Sequence, residues 1–365
     1  MWMGSRGALS AAALLLAVVI SCSDDKLSPE ETPATTLGET TAPAATAPSQ
    51  SALPTGCRGT LLVRQGPDLQ QTDALEYEGG QVKRLDRLAA DSFGASLSPD
   101  RKRIAYNRVL VPNRSFAISI ADLDGTSVMN LTDLRPSLDQ LPPVWSPNGD
   151  LIAYAGSGKV WVISASGGLS SVDVSPGIGG EAPSWSPDGT RLVFTGREPG
   201  SYTTGVYVVN ADGSGLRRLS PAGSDDIRAS WSPDGSLIAF ATRVDEDRLT
   251  IEINVMNPDG SGRRNLDKHD DTGDDLGAPP LPWSPDGKMI AILTNRDGGG
   301  PELYVVNAGG SGLKRVTDSP EHEFEPEWSQ DGSCLTFYHD TYLERALYVV
   351  GRDGSGVTKL LTLER

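Results

Sequence analysis

The sequence predicts an all-β fold, a β-propeller built from four-stranded antiparallel blades, and three observations predict it. Trp-Ser-Pro-Asp-Gly stands at Trp185 to Gly189, Trp231 to Gly235 and Trp283 to Gly287. Degenerate copies stand at Trp145 to Gly149, Trp328 to Gly332 and Leu97 to Asp100. The motif serines Ser98, Ser146, Ser186, Ser232, Ser284 and Ser329 are spaced by 48, 40, 46, 52 and 45 residues, a period that marks a repeat architecture. Each copy also sits among short apolar runs and Asp-Gly turns, and no stretch beyond the N-terminal segment carries a helical period.

Within one repeat the elements follow in a fixed order. A short strand leads into the motif, where Pro fixes φ and Gly supplies a position with φ > 0. A second strand follows, as in Leu192-Val193-Phe194, Ile238-Ala239-Phe240 and Leu335-Thr336-Phe337. The third is Val206 to Val209, Leu303 to Val306 or Leu347 to Val350. It ends in a second turn such as Asp212-Gly213-Ser214-Gly215, Asp259 to Gly262 or Asp353 to Gly356. Asp-Gly between apolar runs signals a hairpin, and Leu216 to Leu219 or Leu313 to Val316 then supplies a fourth strand. Four antiparallel strands per repeat of this length make a propeller blade.

These residues resemble the TolB-like β-propeller family, relatives of the WD40 repeat whose blades carry W-S-P-D-G and I/L-Y-V-V-N-x-D-G-S-G. The resemblance covers roughly residues 57–365. Leu97 replaces Trp in the first copy, which also lacks the Gly, and Gln330 replaces Pro in the last; both changes are expected to weaken their turns. The resemblance implies the fold and no particular activity, because propellers host many functions on one scaffold.

Residues 1–21 read as an export signal, with Arg6 ahead of the apolar run Ala8 to Ile20, a run short for a bilayer span. Val19-Ile20-Ser21-Cys22 resembles a bacterial lipoprotein box, so Cys22 is expected to be lipidated and to anchor a soluble body at the extracytoplasmic face of an envelope membrane. Residues 22–56 form a linker rich in Thr, Ala, Pro, Ser and Glu, too poor in apolar side chains to fold alone. As a flexible coil it reaches ~30 Å.

The propeller, residues 57–365, opens on an incomplete unit. Gly59 to Val63, Ala74 to Tyr77 and Val82 to Leu85 match the second, third and fourth strands of a blade whose first strand is missing. Six motif-bearing repeats plus this unit give a six- or seven-bladed ring; a length of 309 residues over a mean period near 46 favours seven.

Without residues 1–21 the chain carries 48 acids against 31 bases, a net charge of −17, of which −4 falls in the linker and −13 in the propeller. Such a balance excludes nucleic acid as a partner, since phosphates require a basic surface. His269, His322 and His339 are the only histidines, with no pair at i, i+4 for a zinc helix. No G-x-S-x-G elbow, C-x-x-C or P-loop occurs. Asn210 to Ser214 imitates the start of a calcium loop, but the glutamate required at its twelfth position is Pro221. No catalytic or metal-ligating set is therefore assigned. The motif tryptophans, repeated in blade after blade, are expected to pack between blades.

Two groups of residues remain. Cys57 opens the incomplete unit and Cys334 starts a strand of the last blade, neighbours in a ring, so a disulfide between them is expected in an exported chain. Ahead of each motif strand lies an acid: Asp91, Asp139, Glu181, Asp225 with Asp226, Asp274 with Asp275, and Glu323 with Glu325. Because every such strand enters the ring on one face, they predict a carboxylate ring at a channel mouth, suited to a basic peptide or a divalent cation. The expectation is a monomeric, membrane-tethered binding module of the cell envelope for a protein, peptide or glycan, with no cofactor required. The alternatives are a lyase or hydrolase acting on an extracellular polymer at the channel mouth, or a small-ligand sensor.

Overall fold

A computed structural model describes residues 52–363, apart from 55, 66–70, 91, 111–114, 133–140, 169, 246–249, 271–279, 298–299, 320–321 and 341–343. The anchor residue Cys22, the signal segment and nearly all of the linker lie outside the described residues. Seven antiparallel sheets follow one another, each made of consecutive strands. Blade 1 is β1 (Arg58–Gln65), β2 (Gln71–Glu78) and β3 (Gln81–Ala90). Blade 2 is β4 (Ser92–Leu97), β5 (Arg103–Leu110), β6 (Ser115–Asp122) and β7 (Met129–Asn130). Blade 3 is β8 (Val144–Trp145), β9 (Leu151–Gly156), β10 (Lys159–Ser164) and β11 (Ser171–Asp173). Blade 4 comprises β12 (Gly179–Trp185), β13 (Arg191–Arg197), β14 (Gly205–Asn210) and β15 (Arg217–Arg218). In blade 5 stand β16 (Asp225–Trp231), β17 (Ile238–Asp245), β18 (Thr250–Met256) and β19 (Arg264–Asp270). Blade 6 holds β20 (Met289–Thr294), β21 (Glu302–Asn307) and β22 (Lys314–Arg315), with a single Trp283–Ile290 bridge in place of its innermost strand. Blade 7 is β23 (His322–Trp328), β24 (Cys334–Asp340), β25 (Arg345–Gly351) and β26 (Thr358–Leu363).

The core is divided among the blade interfaces. Ala105, Ile118 and Leu131 of blade 2 meet Trp145 and Ile152 of blade 3, and the same exchange recurs at each step to blade 7. Leu61, Val63 and Leu75 of blade 1 meet Tyr338, Leu347 and Val349 of blade 7, while Ala74 and Leu88 meet Ile104 and Tyr106 of blade 2. Seven interfaces close a seven-bladed ring. The physical cause is the period of two along a strand: in β14, Tyr207 and Val209 face blade 3 while Val206 and Val208 face blade 5.

The motif works as a turn and as an interblade clip. Ser186 Oγ donates to Asp188 Oδ1 at 2.5 Å, and that carboxylate also accepts the Thr190 N–H at 3.0 Å. These bonds hold the Asp188 carboxyl down at about 2. The indole N–H of each motif tryptophan reaches back one blade: Trp145 to Ser96 O, Trp185 to Val144 O, Trp283 to Ser230 Oγ and Trp328 to Pro282 O, at 3.1–3.2 Å. Trp231 is buried at the matching place with no acceptor within bonding distance. The motif glycine sits against the preceding blade's motif proline, and at Gly235 (φ +72°) a Cβ would stand 3.0 Å from the Pro187 ring. The degenerate turns keep the serine–aspartate bond. Ser98 still bonds Asp100 at 2.6 Å and Ser329 still bonds Asp331 at 2.7 Å, with Arg101 at φ 56° in the glycine place. Trp185→Phe is expected to keep the packing, lose the bond to Val144, and cost ~1 kcal/mol in urea unfolding; an unchanged midpoint would remove the clip.

Candidate functional site

Residues that recur in every blade hold the scaffold, so a site is best sought where the chain departs from its own repeat. One recurring feature shapes the channel wall. Three residues before the motif aromatic, β4, β12, β16 and β23 carry a positive-φ residue, Gly94 (55°), Ala182 (51°), Arg228 (57°) and Glu325 (51°). Each coincides with a register shift against the next strand, a β-bulge that re-aims the side chains before it. Three of the four are not glycine, and left-handed backbone there costs roughly 1–2 kcal/mol each.

The acids read from the sequence divide accordingly. Asp91, Asp139, Asp274 and Asp275 lie outside the described residues. Asp226 is 0% exposed and is held by Arg263 at 3.2 Å, Thr242 Oγ1 at 2.6 Å and Ser224 Oγ at 2.7 Å. Asp225 accepts the Thr204 N–H and hydroxyl, both at 2.8 Å, and stands 3.6 Å from Arg243. Glu323, 2% exposed, lies 2.5 Å from Thr317 Oγ1 and accepts from the Leu303 N–H at 3.0 Å and Ser319 Oγ at 3.1 Å. Glu302 shares Thr317 at 2.9 Å and pairs with Arg315 at 2.8 Å. Burial, with Glu302 adding to it, pushes Glu323 up to about 7. Glu181 is exposed on β12, and Glu325 is bridged to Arg64 of β1 at 3.2 Å.

The most informative acid is one the sequence reading passed over. One residue before the motif aromatic stand Ser96, Val144, Ser184, Ser230, Pro282 and Glu327. The serines tie each innermost strand to the next: Ser96 Oγ donates to Pro143 O at 2.5 Å, Ser230 Oγ donates to Leu281 O at 2.7 Å, and Ser184 Oγ accepts the Trp231 N–H at 3.2 Å. Glu327 holds that place in blade 7, and its neighbour is blade 1. There β1 and β2 pack as second and third strands, and no described strand stands inside β1. Glu327 is solvent-accessible yet crowded by protein, and this crowding, with Glu325 beside it, pushes its carboxyl up to about 7. Burial, with Glu325 and Glu327 adding to it, raises Tyr338 well above the usual phenol value, and burial followed by Glu327 does the same to Tyr77 of β2. Aligning the six repeats at this single position would have found it.

Other polar groups are local. His269 Nδ1 lies 2.8 Å from Asp267, which Arg296 also holds, on the outermost strand of blade 5. Among the described residues no group of three or more His, Cys, Asp or Glu side chains converges as a metal site. Cys57 and Cys334 form a disulfide with a Cα–Cα distance of 5.6 Å.

With seven blades and the motif turns in place, the family model described as the TolB beta propeller domain matches residues 101–271. Over that stretch the seven-bladed propeller is similar to the TolB propeller. A stretch of 53 residues is 36% identical to the uncharacterized peptidase YuxL of Bacillus subtilis (strain 168), which is 14% of this chain and only 8% of that protein. Oligogalacturonate lyase from Vibrio parahaemolyticus is similar over 86% of this chain and 87% of its own, at 15% identity and a TM-score of 0.59. A puromycin-hydrolyzing peptidase of Mycobacterium tuberculosis is similar over 71% of this chain and 44% of its own, at 13% identity and a TM-score of 0.54. At such identities the likeness is one of fold.

Proposed function

We propose that this TolB-like propeller is the binding module of an extracytoplasmic lipoprotein, tethered through Cys22 to a bacterial envelope membrane and acting as a monomer on a protein or peptide partner. A glycan partner fits less well, because the strongest departure from the repeat is an open strand position flanked by carboxylates. That departure carries the reading: Asp226 is taken up by its own blade and Asp225 and Glu323 by groups of the preceding blade, whereas Glu325 and Glu327 front a blade with no described innermost strand. Binding of this kind needs no cofactor, and a divalent cation would compete for the same carboxylates. The acidic balance of the propeller favours a basic partner and speeds its arrival.

Two measurements test the reading. Cys22→Ser is expected to move the protein from membranes to the soluble fraction, and a substituted protein that still sediments and resists salt ends the anchoring proposal. Cross-linking in envelopes is expected to trap a partner with the full chain and to lose it with Glu325→Lys/Glu327→Lys. Equal capture by that pair would remove this face from the function.

A further inference from the structure

Among the described residues no strand stands inside β1, and the residues around that place depart from the repeat together. Trp145, Trp185, Trp283 and Trp328 each bond the preceding blade, and blade 2, which follows blade 1, has Leu97 instead. Each motif proline elsewhere lies against the next blade's motif glycine; blade 7, which precedes blade 1, has Gln330 instead. In blades 2, 4 and 5 a serine just before the motif bonds the next blade, blades 3 and 6 have Val144 and Pro282 there, and blade 7 alone places a charge, Glu327. Trp and Pro are each missing where the group they would contact is missing among the described residues. The chain thus departs from its repeat on both sides of that place.

What borders it is a strand edge. β1 is hydrogen-bonded to β2 along its whole length, Arg58 opposite Glu78 to Gln65 opposite Gln71, and its other edge meets no described strand. A β edge of eight residues presents a row of N–H and C=O groups able to pair with an added strand. One side chain beside it is also unsatisfied. Tyr77 lies across β1, over Gly59, where a Cβ would stand 3.0 Å from the phenol oxygen; that hydroxyl is buried and has no hydrogen-bond partner. A buried hydroxyl left so is costly, and a carbonyl of an added strand would accept from it.

We propose that the vacant innermost position of blade 1 is a strand-addition site, filled by an extended segment of a partner protein that pairs with the channel-side edge of β1 and sets a Lys or Arg against Glu327. The choice of occupant follows from charge. Glu325 is already matched by Arg64, whereas the Glu327 carboxylate has no hydrogen-bond or ion-pair partner among the described residues. The chain's own linker is a poor occupant. It carries five acids, Asp24, Asp25, Glu30, Glu31 and Glu39, against the single base Lys26. Pro29, Pro33, Pro43 and Pro48 interrupt it with residues that cannot donate to a ladder. This inference rests on the binding-module reading and narrows it to one edge and one partner chemistry.

Hydrogen exchange on the full chain tests it, with a peptide of alternating Thr and Lys as the probe. Without peptide, the β1 amides are expected to exchange faster than those of β13 and β17, which are paired on both sides; with peptide, they become protected. Glu327→Gln is expected to weaken the peptide about tenfold, as for the loss of a charge-assisted bond, without lowering the thermal unfolding midpoint. A Thr-Glu peptide and a Thr-Lys peptide N-methylated on alternate amides should give no protection. Slow β1 exchange before any peptide is added would overturn the proposal, because a segment of this chain then fills the place. Equal binding of the N-methylated peptide, or protection that avoids β1, would overturn it as well. If strand addition fails while Glu325→Lys/Glu327→Lys still abolishes the envelope cross-link, the binding module stands and only its mode changes.

Discussion

Cys334→Ala is expected to destabilise the propeller by about 3–5 kcal/mol under oxidising conditions, and reductant should bring the unsubstituted chain down toward the same midpoint. The disulfide joins positions 277 apart, a loop at the upper end of the entropic effect of a crosslink. Topology adds to the expectation. Every described sheet is built from consecutive strands, so among the described residues no blade shares strands from both ends of the chain. The seam between blades 1 and 7 depends on side-chain packing, the Arg64–Glu325 bridge and this one covalent link. Both cysteines are wholly buried in that packing. Urea unfolding of the two proteins, with and without reductant, measures the difference; coincident midpoints would mean that packing alone closes the seam.

Stability should fall as pH rises from about 4.5 to 8, and Glu323→Gln should remove much of that fall. The Thr317 hydroxyl is engaged three times: it accepts from the Leu303 N–H at 2.9 Å and lies 2.9 Å from Glu302 and 2.5 Å from Glu323. It has one proton to give. With Arg315 and the Ser319 N–H on Glu302, the arrangement is satisfied when Glu323 carries a proton and donates to Thr317, which then donates to Glu302. The Glu323 carboxyl stands near 7 in the fold against an ordinary 4.5. Its contribution is therefore complete below the unfolded value and is lost as pH climbs through the folded one. A shift of this size corresponds to roughly 3 kcal/mol across the window. Glutamine keeps a donor for Thr317 and cannot ionise, so the variant should equal the parent near pH 5 and exceed it at pH 8. Glu327 titrates in the same direction, with a smaller effect because solvent reaches it. Parallel stability curves for parent and variant would refute the assignment.

The blades and the interblade role of the tryptophans were legible because one pentapeptide recurs with its strands, while the sequence left six or seven places open and the seven sheets decide it. The pairing of Cys57 with Cys334 followed from ring order alone. The acids were harder to read, for a geometric reason. A bulge three residues before the motif aromatic interrupts the alternation of faces, so counting back from the motif does not say where a side chain points. Asp226 and Glu323, at matching places before the bulge, are both buried, the first within its own blade and the second against blade 6, whereas Glu325 lies at the bulge and Glu327 beyond it. Leu97 and Gln330 read as decay of the motif until the missing innermost strand of blade 1 showed what each would have touched.

Where the chain joins the ring also decides how the molecule would bear tension. Leu53 and Pro54 settle against blades 1 and 7, where a Cβ at Gly80 would stand 2.7 Å from Leu53 and one at Gly351 2.9 Å from Pro54. Three residues later Cys57 is covalently joined to the first residue of β24. A pull on the N-terminal segment therefore reaches this crosslink before it reaches the hydrogen bonds between β1 and β2. Instead of unzipping blade 1 one rung at a time, the force passes into β24, which is paired along both edges with β23 and β25. Drawn by its N-terminal segment, the propeller should yield in shear, at a higher force than an unlatched first blade peeling open, and reduction of one bond would convert the strong mode into the weak one.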